Sequence, residues 1–393
     1  MRINGGFLLW VTILVIGFVL AGCQGPGTGN DPLTSTPSPY VSTIHSSPTL
    51  QAPAIHPSPT PPGGSGVYVS GWCSGRDINP EYLFNQNACY WKNGQLQILC
   101  PESYSLCWDI TATATDVFAA GEYRLWDVDS HYWGYWTACY WQNNEMHTLV
   151  SSPPGDSAAY SIRYKDGTVY NSGCYHNGTW QVACYWIDTV KYDLISSPAG
   201  NSFAYTLAPG SACVYTAGYY NNGTNGVACY WINTERHDLP TGYGANARAF
   251  SVFEETGTVY TCGFYSNGTY AIACCWADDV KTDLIPTPSG NSYAMAQLRY
   301  DGDLYTVGYY FNGSYMIACY WIGTCKYDLI TSPAGDSYAE GIAVDGSGTV
   351  LISGYYSNGA NYIACYWQNG QRHDLTESLQ GNAQVSRIRV AGG

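Results

Sequence analysis

Two stretches of this chain gather residues that could do chemistry. One holds Arg76, Asp77, Glu81, Tyr82 and Phe84; the other holds Tyr123, Arg124, Trp126, Asp127, Asp129, His131, Tyr132, Trp133, Tyr135 and Trp136. Charged residues are only 11% of the whole, so this density is unusual. Aromatic faces stack on sugar rings and apolar side chains, and a few polar groups beside them set orientation, which is the make-up of a ligand site. The same aromatics would also serve simply to cover an edge of the fold. Asp127, Asp129 and His131 alternate, so an extended strand places them on one face. A hard cation takes more oxygen ligands than these offer, and no metal is expected. Asp77, Glu81, Asp127 and Asp129 are the carboxylates that an acid–base pair would draw on, at a separation of about 5–9.5 Å. Neither Gly-x-Ser-x-Gly nor His-Glu-x-x-His occurs, and the expectation is binding without catalytic residues or a cofactor.

The elements that must hold these stretches follow from a repeat. Ala88-Cys89-Tyr90-Trp91 returns at Ala138–Trp141, Ala183–Trp186, Ala228–Trp231, Ala273–Trp276 (with Cys275 for Tyr), Ala318–Trp321 and Ala364–Trp367. The repeated cysteine advances by 50, 45, 45, 45, 45 and 46 residues, a period of stacked or circular repeats. In the third copy, 157–162 is a short strand of small and apolar residues, 168–175 a second, 180–186 a third, and 192–194 marks a fourth. Ala183 and Tyr185 take one face of the third strand and Cys184 and Trp186 the other, so both faces are apolar and the strand belongs inside a stack of sheets. Four short strands per copy make a blade, and seven copies make an all-β, seven-bladed β-propeller over 66–393. The first copy opens at Val67-Tyr68 with its second strand. The segment from Asn382 to Ile388 repeats the first strand of the other copies. The C-terminal strand therefore completes blade one and closes the ring, which leaves no free edge.

Between the strand-two Gly and the strand-three Ala, five blades have nine residues, as from Gly173 to Ala183; Gly71 to Ala88 and Gly121 to Ala138 each enclose sixteen. The two chemistry-bearing stretches are thus long hairpin tips on adjacent blades. In the short tips a two-residue Asn-Gly turn sets Tyr175 against Trp180, Tyr265 against Tyr270 and Tyr310 against Tyr315, pairs that stabilise hairpins. Asp156, Asn201, Asn246, Asn291, Asp336 and Asn382 share one repeat position and suit the capping of turns. His147, His237 and His373 share an outer-strand position with Tyr192 and Tyr327, a structural pattern.

The order of small-residue strand, Gly-bearing strand, Trp-ended strand and short outer strand resembles WD40 repeats, without their Asp after Trp: Lys92, Gln142 and Ile187 stand there. It is more similar to bacterial extracellular HAF-type repeats, in which an aromatic-Trp strand is followed by Asp-Leu, a Gly-Ser turn and a Gly-containing strand. That resemblance implies the fold and an envelope location and carries no activity.

Residues 1–22 read as a leader: Arg2, then an apolar run from Phe7 to Leu20, short of the roughly 20 residues of a bilayer span. Leu20-Ala21-Gly22-Cys23 resembles the lipobox of bacterial lipoproteins, which implies a lipid on Cys23; an uncleaved membrane helix is the alternative. Gln24 follows rather than Asp, which implies an outer envelope site. Residues 23–65 are a Pro/Ser/Thr-rich linker that cannot bury enough apolar surface to fold. A net charge of −14 disfavours nucleic acid, and the only membrane contact expected is the lipid.

Of sixteen cysteines, the repeated seven read as small buried hydrophobes, since equivalent positions on neighbouring blades exceed the roughly 7 Å Cα limit for a disulfide. No Cys-x-x-Cys pair points to zinc. A turn at Asn267-Gly268 places Cys262 opposite Ala273 and diagonal to Cys275, a candidate disulfide; Cys100 and Cys107 are another. The reading is a monomeric, lipid-anchored envelope protein that binds a glycan or a peptide through the long tips of blades one and two. A non-catalytic protein-docking scaffold and a carbohydrate-active enzyme are the alternatives.

Overall fold

A computed structural model describes residues 66–74, 86–100, 103–127, 132–151, 154–242, 246–375 and 381–391, with the backbone alone for Trp126, Asp127 and Tyr132. Seven four-stranded antiparallel sheets form the blades of a propeller. In six of them the strands run in chain order from the axis outward. In blade one the innermost strand is Ala383–Ala391, followed by Gly66–Cys73, Asn87–Lys92 and Gln95–Ile98. The C-terminal strand closes the ring, as the split of the repeat requires.

The Ala-Cys-Tyr-Trp strand explains how blades stack. Trp91, Trp186, Trp231, Trp321 and Trp367 are 0% exposed, and Trp141 and Trp276 are 1% exposed. Ala183 and Tyr185 of blade three pack on Ala204, Leu207, Val214, Cys229 and Trp231 of blade four. The same meeting of an Ala-x-Tyr face with the next blade's Cys-x-Trp face recurs between blades four and five, and Ala364 meets Cys89 and Trp91 where the ring closes. Burial of these faces, with the indole as the largest piece, supplies the main drive for stacking. Ser157, Ser202, Ser292 and Ser337 add a clasp: each hydroxyl accepts the N–H of Ala138, Ala183, Ala273 or Ala318 on the preceding blade at 2.8–2.9 Å.

Each innermost strand carries a β-bulge opposite the strand-two glycine. In blade four the register skips Tyr205, and Gly218 faces Ala204. A Cβ on Gly218 would lie 1.8 Å from the Phe203 carbonyl oxygen, so only glycine fits. The skipped residues Trp108, Tyr160, Tyr205 and Phe250 touch one another from blade to blade, with centroids 6.0, 5.5 and 5.1 Å apart. Neighbouring inner strands meet in this way only around the axis, so the bulges aim these side chains into the central channel.

The short hairpins depart from the expected register. Asn177 N–H donates to the Trp180 carbonyl, and His176 pairs with Gln181. The tip is therefore Gly178-Thr179, one residue later than an Asn177-Gly178 turn. Tyr175 faces Val182, Tyr265 faces Ile272 and Tyr310 faces Ile317, not Trp180, Tyr270 and Tyr315. The cause lies in the asparagine: Asn177 Oδ1 accepts the N–H groups of Thr179 and Trp180, both at 2.9 Å, and Gly178 alone takes a positive φ of 99°. The same shift puts Cys262 directly opposite Cys275 rather than diagonal to it. Both are free thiols here with separate partners, Cys262 donating to the Ala294 carbonyl and Cys275 contacting Thr306 Oγ1 at 3.4 Å. Cys100 and Cys107 are also free and are bound separately to Ser103 Oγ and the Asp109 carbonyl.

Candidate functional site

The long tip of blade two rises from the strands Val117–Arg124 and Thr137–Gln142. It forms its own two-stranded ribbon, Trp126–Asp127 paired with Tyr132–Trp133, closed at its base by Gly134 N–H on the Leu125 carbonyl at 2.9 Å. Arg124 lies at the centre of an aromatic clasp: its guanidinium carbon is 4.6 Å from the Tyr104 ring, 5.0 Å from Trp133 and 4.6 Å from Trp136. Tyr104 meets both indoles edge-on, at 5.2 Å from Trp136 and 5.8 Å from Trp133. Cation–π attraction of this kind is worth about 0.5–2 kcal/mol per ring and fixes the rings in place. Tyr104 donates to Gln86 Oε1 at 2.5 Å, and the backbone N–H of Trp136 donates to Asp156 Oδ1 at 2.9 Å. Leu125 and Tyr135 are each 59% exposed at the same tip.

Of the residues singled out in the sequence, Trp133 and Trp136 are thus brought together, and Trp126 is the ladder partner of Trp133. Arg76, Asp77, Glu81, Tyr82, Phe84, Asp129 and His131 lie outside the described residues, as does Cys23. Among the described residues no three His, Cys, Asp or Glu side chains converge in a way that could hold a metal.

Glu122 escaped the sequence reading. It follows Gly121, at the position that Trp72, Tyr219, Phe264, Tyr309 and Tyr355 occupy elsewhere, and a carboxylate in an aromatic series was the available signal. It is 2% exposed and accepts the Trp108 indole N–H at 3.2 Å, while its second oxygen has no partner among the described residues. Burial, reinforced by nearby Asp156, pushes its carboxyl up to about 8, so it is protonated at neutral pH.

The other repeated polar groups are structural. Asp156, Asn201, Asn246, Asn291, Asp336 and Asn382 each accept a backbone N–H at the start of a third strand, 2.8–2.9 Å away. His147, His237 and His373 stack on Tyr140, Tyr230 and Tyr366 at 4.7, 4.8 and 5.0 Å. The hairpin tyrosines join a three-part contact that crosses their blade. Tyr220 donates to Asp238 at 3.1 Å, Arg236 lies 3.9 Å over its ring, and Arg236 pairs with Asp238 at 2.8 Å. Tyr175, Tyr265, Tyr310 and Tyr356 repeat it.

No family model matches this chain, and no curated protein does. Solved structures align with this chain at low similarity. The extracellular domain of a hybrid two-component system from B. thetaiotaomicron aligns at TM-score 0.39 and 10% identity, over 72% of this chain and 38% of that one. A nidogen/laminin complex aligns at 0.38 and 10%, over 83% and 99%. A mutant of Trypanosoma rangeli sialidase displaying trans-sialidase activity aligns at 0.38 and 9%, over 69% and 54%. These values carry no functional argument. The class, a seven-bladed β-propeller with four-stranded blades, rests on the strand pairing itself.

Proposed function

We propose that this propeller is a non-catalytic binding module of the cell envelope that recognises a glycan through the long tips of blades one and two. The observation that supports it is the prearranged aromatic group of Tyr104, Trp133 and Trp136 around Arg124. Rings already locked by a cation lose little freedom when a sugar face stacks beside them. A lipid on Cys23 and the linker that follows would hold the ring away from the membrane. The test is a glycan array probed with the full-length protein, Trp133→Ala and Arg124→Ala. Saturable binding that both substitutions abolish supports the reading; the absence of binding, or binding indifferent to both, overturns it. Exposed Leu125 and Tyr135 favour a second reading, a protein-docking surface at the same tip, and a pull-down from envelope extract with Tyr135→Ala and Leu125→Ser tests it.

A further inference from the structure

The innermost strands run from the hairpin face to the strand one–two turns. At that far end the channel opens into a cavity of about 380 Å³, lined by Arg163, Arg387 and Arg389 among others. These three belong to blades three and one. They surround one carboxylate, Asp109 of blade two, which is 0% exposed. Asp109 Oδ2 accepts Arg163 Nη1 at 2.6 Å and Ser161 Oγ at 2.8 Å, and Oδ1 pairs with Arg389 Nη2 at 3.1 Å. Burial alone would push this carboxyl up, yet Arg389, Arg163 and Arg387 bring it down to about 2, so it is ionised throughout the physiological range.

Arg387 has no such partner. Its Nη1 donates to the carbonyls of Glu340 and Ser386, and among the described residues no carboxylate pairs with it. The Glu340 side chain is 6% exposed, and burial pushes its carboxyl up to about 8 despite Arg387, so it is neutral at pH 7. At the mouth, Arg299 is matched by Glu255 at 2.8 Å, and Glu254, which accepts the Gly257 N–H at 2.6 Å, adds one further carboxylate to the lining. The three inner guanidinium groups therefore share one ionised carboxylate, and with Arg299, Glu254 and Glu255 of the mouth counted the cavity keeps a single formal positive charge in excess, within a protein whose net charge is −14. Buried charges are ordinarily paired, and a guanidinium fork matches the two oxygens of a carboxylate or phosphate.

We propose that this cavity binds a small ligand carrying an oxyanion, a carboxylate or phosphate group, with Arg387 as the principal contact and Arg163 and Arg389 beside it. The volume suits a molecule of about monosaccharide size. Asp109 holds two of the arginines in place and tunes the site for a single negative group. The cavity is independent of the blade-two tip, so failure of glycan binding there leaves this inference standing.

Isothermal titration of the full-length protein at low salt tests it, with inorganic phosphate, glucuronate and glucose as probes. Saturable binding of at least one anion and none of glucose is expected, and Arg387→Gln should weaken it at least about tenfold, the loss of one charge-assisted hydrogen bond or more. Phosphate alone would place the ligand among phosphorylated metabolites, and glucuronate alone among acidic sugars. Absence of binding by both anions, equal binding of glucose, or unchanged affinity in a folded Arg387→Gln overturns the proposal. Should that variant fail to fold, Arg387→Lys keeps the charge without the fork and must also weaken binding.

Discussion

Glu340→Gln separates a protonated carboxyl from an ionised one. Glu340 occupies the bulge position that Trp108, Tyr160, Tyr205 and Phe250 fill in other blades, and its Oε1 has no partner among the described residues. Burial raises its carboxyl from 4.5 to about 8. The folded chain thus keeps a proton that the unfolded chain gives up between pH 4.5 and 8. Stability from this group is complete below pH 4.5 and is lost as the pH rises through about 8. At about 1.4 kcal/mol for each tenfold change in proton affinity, the loss reaches a ceiling of about 5 kcal/mol. Glutamine is a neutral stand-in of the same shape. Glu340→Gln should match the wild type at pH 4.5 and exceed it at pH 9 by up to that amount, or about 7 °C in melting temperature for a propeller of this size. Melting curves of both proteins across pH 4.5–9 read the effect. Glu122 titrates in the same window and cancels in the comparison. Parallel curves, or a variant less stable than the wild type at pH 8, would refute the reasoning. The second result would mean that Glu340 is ionised and paired with Arg387, which would also remove the excess charge of the cavity.

Further measurements address the scaffold. Gly218→Ala should lose at least about 3 kcal/mol in urea unfolding, because its Cβ meets the Phe203 carbonyl oxygen; Gly223→Ala, at a φ of 97° with no atom within 4 Å, should lose about 1 kcal/mol. Equal losses would show that the bulge does not press on strand two. Trp231→Ala should cost about 3–5 kcal/mol, as its indole is 0% exposed between blades three and four. In the folded protein at pH 8, exposed Cys325 and half-buried Cys100 and Cys213 should react with a thiol reagent, while Cys262 and Cys275 stay silent. Burial raises both thiols, Cys275 to about 12, and the thiolate is the reactive form. Rapid labelling of this pair in the native state would contradict the packing. After denaturation, two more thiols than in the Cys262→Ser/Cys275→Ser variant are expected if the pair is reduced, and an equal count reports a disulfide.

The blades were readable from local pattern because each third strand buries two faces, and Ala-Cys-Tyr-Trp writes both faces into four consecutive residues. Ring closure was readable because the first copy lacks the strand that Asn382–Ile388 supplies. The hairpin turn lies one residue later than expected: Asn-Gly also allows the asparagine side chain to accept the next N–H groups, and moving the turn by one residue shifts each cross-strand partner by two, which takes Cys262 from Ala273 to Cys275 on the same face. The glycine of strand two stood out in the repeat, but its reason did not, since the bulge that presses on it belongs to a different strand. Least visible were the channel groups. Asp109 and Arg389 are 280 positions apart and meet only because the ring closes. Whether Glu122 and Glu340 carry a proton depends on the solvent that packing removes, a quantity that no local pattern encodes. Short-range patterning thus specifies the repeated blade, while charge pairing, protonation and the cavity arise from long-range closure around the axis.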